Sequence, residues 1–240
     1  MITILSPHLD DAAFSLGVVL TVASRRSLRV RVVNCFTQSG YAPYSDAVGA
    51  EAVSGLRAQE EQAFLDGVGA LVESVDLGLE DTSLRPGYER LQDSFHRRVF
   101  SPDEDALGRH LVACFEGLLG ESLVFVPMAY GNHVDHRLVR AAAERVFEPA
   151  TRVYYEELPY SLNAPRRALR RQVNDPGCEA VLVAANEEVL ASKLRGISCY
   201  ASQLPEEQAQ AILARARQLG GERLWAATAG REVLGKLGLI

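Results

Sequence analysis

The sequence predicts an α/β fold, a Rossmann-like three-layer sandwich in which a mainly parallel sheet carries helices on both faces. Short apolar runs alternate with segments whose apolar residues recur at helical spacing, which is the pattern of strand–helix–strand units. Two clusters of histidine and aspartate directly follow two of these runs, where open parallel sheets place their binding sites. The 240 residues suit one domain, and no linker divides them.

Strands are predicted where apolar or β-branched residues run together between turn-forming residues. They cover residues 2–5, 29–36, 72–79, 123–127, 152–156 and 178–184. Helices are predicted where apolar residues recur every three or four positions. They cover residues 11–24, 56–68, 105–119, 135–147, 187–198 and 205–219. The alternation is less regular after Tyr160, and we expect this tail to pack on the same domain.

Local signals support several boundaries. Asp10 or Asp11 can cap the first helix, whose leading N–H groups lack partners. The last predicted helix begins with Pro205 and two glutamates, a favourable start. Two polar segments, residues 37–54 and 82–102, contain glycine, proline and tyrosine. We predict a functional loop for the first and a lid or substrate loop for the second, and as a hypothesis the two frame the pocket.

Composition narrows the class of protein. A net charge of -6 and the absence of a long basic run argue against a nucleic-acid partner, and the densest basic cluster, in residues 166–171, is interpreted as a solvated surface segment. The four cysteines show no CxxC spacing, so we expect reduced, mostly buried thiols in a cytoplasmic protein. Neither a signal peptide nor a transmembrane span is expected. The oligomeric state stays open, a homo-oligomer included.

The two polar clusters contain three of the five histidines. Pro7-His8-Leu9-Asp10-Asp11 follows the first strand, and His133-Val134-Asp135-His136 opens the helix after the strand at residues 123–127. His8, Asp11 and His136 match a catalytic metal site, which takes three ligands from His, Asp, Glu or Cys and keeps a position for water. Water on such an ion becomes nucleophilic near neutral pH. Asp10 points elsewhere on the turn and could act as the general base.

The remaining members of the second cluster have more than one interpretation. His133 would lie near the ion without binding it, and could stabilise an oxyanion or protonate a leaving amine. Asp135 could orient the imidazole of His133, or it could simply cap the helix. Each residue alone has a plainer explanation as a turn residue or cap, but two such clusters at strand ends favour a metal site. His96 and His110 are predicted to lie on the surface.

At these residues the chain resembles the PIG-L/LmbE-like family of zinc-dependent N-deacetylases. This family includes deacetylases of GlcNAc-phosphatidylinositol, of mycothiol and bacillithiol biosynthesis, and of sugar-containing antibiotics. Its (P)HxDD signature stands here at residues 7–11 and its HxDH signature at residues 133–136. Weaker similarity extends over residues 57–60, 77–81, 154–156 and 193–203.

The resemblance implies a zinc ion held by His8, Asp11 and His136, although such a site can also take iron or cobalt. It implies Asp10 as the general base and a role for His133 at the tetrahedral intermediate. The implied substrate is a small molecule that contains an N-acetylated amino sugar.

Two further residues are assigned through the resemblance alone. Arg57 and Asp81 would contact sugar hydroxyls. The alternative for Arg57 is a salt bridge with a neighbour such as Glu60 or Glu61.

The chain departs from the family pattern at four places: Leu9 and Val134 replace usual prolines, Ala12 replaces a usual glutamate, and Tyr200 stands where histidine is common. None of these removes a ligand or the base. Two rival classes are a nucleotide-binding protein on a Rossmann-like sheet and a non-catalytic descendant of the hydrolase fold. No GxGxxG follows the first strand, and carboxylates there would repel a phosphate. The sequence therefore predicts a metal-dependent amidohydrolase that removes an acyl group, most commonly acetyl, from an amine.

Overall fold

The strands form one sheet in the computed structural model, which describes residues 1–96, 99–120, 122–173, 175 and 177–240. They are β1 (Ile2–Ser6), β2 (Val30–Gln38), β3 (Val72–Glu80), β4 (Leu123–Pro127), β5 (Arg152–Tyr155), β6 (Glu179–Ala184) and β7 (Gly221–Ala226). The helices are α1 (Asp11–Arg25), α2 (Ala50–Val68), α3 (Asp93–His96), α4 (Pro102–Glu116), α5 (Val134–Val146), α6 (Arg166–Gln172), α7 (Glu187–Ser198), α8 (Glu206–Leu219) and α9 (Thr228–Lys236).

The spatial order of the strands is β3-β2-β1-β4-β5-β7-β6. The first five are mutually parallel, and β7 runs antiparallel to both of its neighbours. Ile2 of β1 pairs with Val30 of β2 on one side and with Leu123 of β4 on the other. The chain thus winds outward in both directions from β1 and β4, and a crevice opens at the carboxyl ends of these two strands.

Helices cover both faces of the sheet, as the sequence predicts. Ile2 and Ile4 of β1 belong to one apolar core with side chains of α1, α2, α7 and α8. Leu5, on the opposite face, belongs to a second core with side chains of α4 and α5. Alternate residues of one strand therefore enter different layers, and the mainly parallel three-layer architecture is confirmed.

The tail adds elements that the sequence analysis did not predict. Strand β7 inserts between β5 and β6, and α9 follows it. Glu222 and Arg223 interrupt the apolar pattern of β7 because both find charged partners within the fold. The basic segment forms α6, in which Leu169 is buried while its arginines are exposed. The loop predicted over residues 82–102 contains α3, and its residues 97 and 98 lie outside the described residues.

Helix α1 is broken at Leu16, whose φ of -128° and ψ of 17° are not helical. A buried ion pair from the tail takes up the backbone groups that the break releases. Glu222 accepts two backbone N–H groups of α1 at 3.0 and 2.9 Å, and Lys193 donates to the carbonyl of Phe14 at 2.5 Å and to Glu222 at 2.6 Å. A Cβ at Gly17 would lie 2.9 Å from Cγ of Lys193, so this close approach requires glycine.

Candidate active site

The first cluster forms a tight turn after β1, and short-range hydrogen bonds hold its backbone. Ser6 Oγ donates to the carbonyl of His8 at 2.6 Å and accepts the N–H of Ala12 at 3.2 Å. Asp11 Oδ2 accepts the backbone N–H of His8 at 2.9 Å. The side chain of Asp10 makes no capping hydrogen bond. The predicted capping of α1 by Asp10 or Asp11 is therefore wrong, because the Asp10 carboxylate faces Arg57 and the Asp11 carboxylate folds back onto the N–H of His8.

The second cluster follows β4 on a loop with unusual backbone angles. Ala129, Gly131 and Asn132 have φ values of 56°, 93° and 70°. This left-handed region is costly for residues other than glycine, and such strain concentrates at functional sites. A Cβ on Gly131 would also lie 3.1 Å from Cβ of Tyr160. The loop is thus pressed closely against the wall of the site.

Helix α5 is capped by His133, not by Asp135. The Nδ1 atom of His133 accepts the backbone N–H of Asp135 at 3.3 Å. The plain interpretation of Asp135 as a helix cap is therefore wrong. The contact also has a chemical consequence, because an imidazole that accepts through Nδ1 carries its proton on Nε2 when it is neutral.

The two clusters meet across the β1–β4 boundary. Asp11 Oδ2 lies 3.4 Å from Nδ1 of His8 and 3.4 Å from Nε2 of His136. Ligand atoms that share a tetrahedral zinc ion at about 2.0–2.1 Å are separated by roughly 3.4 Å from one another. The Nε2 atom of His136 is buried and has no hydrogen-bond partner within the described part of the chain. The two 3.4 Å distances suit a divalent metal ion that Asp11 shares with His8 or with His136.

Among the residues that the structure describes, two overlapping groups have the spacing that metal binding requires. His8 with His133 and His136 forms one, and His8 with Asp10 and Asp11 forms the other; within each group the ligand atoms lie within 4.8 Å of one another. His8 belongs to both groups, but neither group is the predicted set of His8, Asp11 and His136, in which both 3.4 Å distances run through Oδ2 of Asp11.

Each of two histidines has a carboxylate on its outer nitrogen. Nε2 of His8 lies 3.1 Å from Oδ2 of Asp135, and Nδ1 of His136 lies 3.3 Å from Oε1 of Glu157. Such outer carboxylates fix the orientation of a metal-binding imidazole and direct its other nitrogen to the ion. The sequence analysis missed Glu157, although it follows the carboxyl end of β5, the position that revealed the other clusters.

Asp135 is fully buried and has three partners. Besides His8, its carboxylate accepts from Arg85 at 2.5 Å and from the backbone N–H of Thr82 at 3.2 Å. Its contact with His133 runs through the backbone instead. The backbone N–H of Asp135 thus maintains the orientation of His133, and the carboxylate of Asp135 is hydrogen-bonded to His8.

Burial and neighbouring charged groups shift the pKa values of the clustered side chains. Burial alone would lower the pKa of His8, but hydrogen bonds to Asp11 and Asp135 outweigh it and raise the pKa to about 10. Burial would raise the pKa of Asp11, but His136 and His8 lower it to about 2. Burial lowers the pKa of His133 well below its usual value. The cluster therefore favours a positive charge on His8, while His133 stays neutral.

Arg57 and Asp81, the predicted substrate contacts, face each other beside Asp10. The guanidinium of Arg57 lies 3.4 Å from Oδ1 of Asp10 and 3.6 Å from Oδ2 of Asp81, and it donates to Oγ of Ser39 at 3.0 Å. Burial raises the pKa of Asp10, and Arg57 opposes that rise. Arg57 pairs with these carboxylates rather than with a glutamate of its own helix.

A cavity of about 410 Å³ opens above the cluster. Tyr41 and Tyr44 line it from the first predicted loop, and residues 82–95 contribute from the second. The Phe95 ring lies 5.0 Å from that of His133, and the ring of Tyr160 lies 5.4 Å from that of His136. Residues 158–160 and 203–208 also contribute to the lining and were missed by the sequence analysis. The volume is in the range of small-molecule sites.

An open parallel sheet with clustered histidines and carboxylates at its switch point is the arrangement of an α/β enzyme with its active site at the carboxyl ends of the strands. The model of the family described as PIG-L, GlcNAc-PI de-N-acetylase, matches residues 3–147. The chain is 32% identical to 2'-N-acetylparomamine deacetylase of Streptomyces fradiae over 231 residues, which cover 92% of this chain and 80% of that protein. The chain belongs to the PIG-L family, and it is an N-deacetylase.

Solved structures show the same fold. The zinc-inhibited form of teicoplanin deacetylase has a TM-score of 0.73 at 23% identity, over 93% of this chain and 96% of that one. The A40926 pseudoaglycone deacetylase has a TM-score of 0.68 at 25% identity, over 94% and 96%. These structures confirm the predicted fold class. None of the described helices combines the length and apolar character needed to cross a membrane.

Proposed function

We propose that the protein uses a zinc ion to hydrolyse the acetamide of a small molecule that contains an N-acetylated amino sugar. The observation that carries this proposal is the position of Asp11 Oδ2, 3.4 Å from a nitrogen of both His8 and His136, with the carboxylate of Asp10 beside it and in contact with Arg57. The relative that deacetylates 2'-N-acetylparomamine supports the substrate class.

His8, Asp11 and His136 would hold the ion through Nδ1, Oδ2 and Nε2. Two neutral nitrogens and one carboxylate suit zinc, and iron or cobalt is the alternative for the same donors. When bound, the ion supplies a water acidic enough to attack near neutral pH and polarises the acetyl carbonyl. Asp135 and Glu157 keep the two imidazoles turned so that these nitrogens face the ion.

Asp10 is the proposed general base. It accepts a proton from the attacking water while the new carbon–oxygen bond forms, and it then delivers that proton to the nitrogen as the carbon–nitrogen bond breaks. A base must be ionised to start this cycle. Arg57, at 3.4 Å, favours the ionised form against the burial that raises the pKa of Asp10.

His133 is the proposed oxyanion donor. Its Nδ1 atom accepts from Asp135, so its proton lies on Nε2, and its lowered pKa keeps the ring neutral. A neutral donor stabilises the negative oxygen of the tetrahedral intermediate by hydrogen bonding. Of the two roles left open for His133, this assignment favours oxyanion stabilisation over proton donation, because the proton for the amine comes from Asp10.

Substrate binding would use the polar and aromatic lining of the cavity. Arg57 and Asp81 lie close enough to the base to contact sugar hydroxyls near the acetamide, and Tyr41 and Tyr44 offer faces for a sugar ring. The four free cysteines agree with a reducing compartment, and we propose a cytoplasmic location.

The test is release of acetate and of a primary amine from three compounds: 2'-N-acetylparomamine, N-acetylglucosamine and a lipid-linked N-acetylglucosamine. We expect turnover of the first, loss of turnover after chelation, and recovery with zinc. If the metal-loaded protein releases acetate from none of these, the proposed substrate class is overturned. Turnover that survives complete removal of metal would overturn the metal-dependent mechanism.

A further inference from the structure

A buried tyrosine connects α2 to the turn that carries Asp10. Tyr200 is fully buried, and its ring packs edge-on against Phe14 at 5.5 Å and lies 5.8 Å from Phe64. Its hydroxyl lies 3.1 Å from the backbone carbonyl of Leu9, in the middle of the first cluster. The same hydroxyl makes a short hydrogen bond with Oε2 of Glu61. One hydroxyl thus stands between a carbonyl and a carboxyl group.

The number of hydrogens available to these three oxygens decides the protonation state. A phenol has one hydrogen, and a carbonyl can only accept. If Glu61 were ionised, the single hydrogen of the Tyr200 hydroxyl would face two acceptors, Oε2 of Glu61 and the carbonyl of Leu9. One of these two contacts would then lack a hydrogen. If Glu61 is protonated, it donates to Tyr200, and Tyr200 donates to Leu9. Burial raises the pKa of Tyr200 well above its usual value, so the phenol keeps its hydrogen.

The surroundings of Glu61 favour the protonated form. Its other oxygen, Oε1, accepts from Nδ2 of Asn34 at 3.0 Å, and the same nitrogen donates to Asp76 at 3.0 Å. The charged groups that face Glu61 are Asp76 on β3 and Asp10 on the turn, both acidic. Burial raises the pKa of Glu61, and the charges of Asp76 and Asp10 raise it further. The hydrogen bonds with Tyr200 and Asn34 oppose the rise only in part, so the pKa reaches about 7.

We propose that Glu61 and Tyr200 are positioning residues, in which a neutral Glu61 donates to Tyr200 and Tyr200 donates to Leu9, so that the turn presents Asp10 correctly. The position of Glu61 on α2 supports this arrangement. It lies one helical turn after Arg57, which contacts Asp10 directly. Helix α2 therefore contacts the turn directly at the Asp10 carboxylate, through Arg57, and indirectly at the Leu9 carbonyl, through Glu61 and Tyr200. The functional part of this inference rests on the base role proposed for Asp10.

Two variants separate the hydrogen bonds from the packing. Glu61→Gln mimics the protonated acid, because its amide N–H can donate to Tyr200 while its oxygen accepts from Asn34. Tyr200→Phe keeps the buried ring and removes the hydroxyl. With 2'-N-acetylparomamine as the probe, we expect Tyr200→Phe to lower kcat about tenfold or more, with KM changed less than threefold and metal content unchanged. A wild-type kcat in Tyr200→Phe would overturn the positioning role.

The pH dependence gives an independent test. A folded-state pKa above the unfolded value adds stability that is present at low pH and lost as pH rises through the folded pKa. As the pH rises from 5 to 8.5, the urea midpoint of the wild-type protein should therefore fall relative to that of Glu61→Gln. Above about pH 7, the kcat of the wild-type protein should also fall relative to that of Glu61→Gln. A midpoint difference that is constant with pH overturns the neutral Glu61. This unfolding test decides whether Glu61 is neutral even if no substrate is turned over. Absence of turnover alone counts against the proposed function instead.

Discussion

The guanidinium of Arg57 lies 3.4 Å from the Asp10 carboxylate, close to where the metal ligands converge. Burial and this cation act on Asp10 in opposite directions, because burial raises its pKa and Arg57 lowers it. A general base works only in its ionised form. Arg57 therefore has a second proposed role besides contact with the substrate, which is to keep the base ionised at working pH.

Replacing Arg57 with methionine tests that second role. Loss of the cation should raise the pKa of Asp10, so the acid limb of the pH profile of kcat/KM should move to higher pH by about one unit. Arg57→Lys is the matched control, because it keeps the charge and should move the limb less. An acid limb that stays in place in Arg57→Met would contradict the account of Arg57.

Replacing Asp10 with asparagine tests the base itself. The amide keeps the size of the side chain and cannot accept the proton of water, so kcat should fall by about 10²- to 10⁴-fold. Metal content, measured on the same preparation, should equal that of the wild-type protein because Asp10 is not a proposed ligand. Near-normal turnover with full metal occupancy would reject the assignment.

Metal affinity should depend on pH. Hydrogen bonds to Asp11 and Asp135 raise the pKa of His8 to about 10 despite burial, so the metal-free protein carries a proton there at neutral pH. Metal binding must displace this proton. At pH values below that pKa, metal affinity should therefore increase about tenfold for each unit by which the pH is raised. Competition with a chelator of known affinity at pH 6, 7 and 8 measures the slope. A dissociation constant that is flat over this range would show that His8 does not release a proton to the metal.

The Lys193–Glu222 pair should contribute strongly to stability. Lys193→Met leaves Glu222 buried without its cation, and the loss of one partner of a buried pair costs about 3–5 kcal/mol. Adding Glu222→Gln should recover part of this loss, because a neutral amide is less costly to bury than an unpaired carboxylate. Urea unfolding of the two variants provides the comparison. Equal stability of Lys193→Met and the wild-type protein would mean that the pair does not hold the break in α1.

Much of the architecture was predictable because apolar patterns report burial. Strands β1, β2, β4 and β5 each show a run of apolar or β-branched residues, whereas β3 lies at an edge of the sheet and is mostly exposed. The two signatures stand where β1 and β4 end. Strand β7 was not predictable, since Glu222 and Arg223 break its pattern and are tolerated only because Lys193 and Glu156 lie opposite. Those partners are distant in sequence, so no local pattern reveals them.

The site could be predicted as a set of residues but not as a set of contacts. The sequence placed His8, Asp11 and His136 together as a hypothesis, and in the structure Oδ2 of Asp11 lies 3.4 Å from a nitrogen of each histidine. The sequence could not show that the Asp135 carboxylate contacts His8, because that contact depends on how the loops after β1 and β4 lie against each other. Arg85 reaches the same carboxylate from a third segment, and no spacing rule connects it to either signature.

Anomalous diffraction at the zinc absorption edge, from crystals of the zinc-loaded protein, tests the central claim most directly. The account predicts one peak within coordination distance of Nδ1 of His8, Oδ2 of Asp11 and Nε2 of His136, and loss of that peak in His136→Ala. No peak between these atoms, or a peak in the wild-type crystals at any other group of side chains, would contradict it.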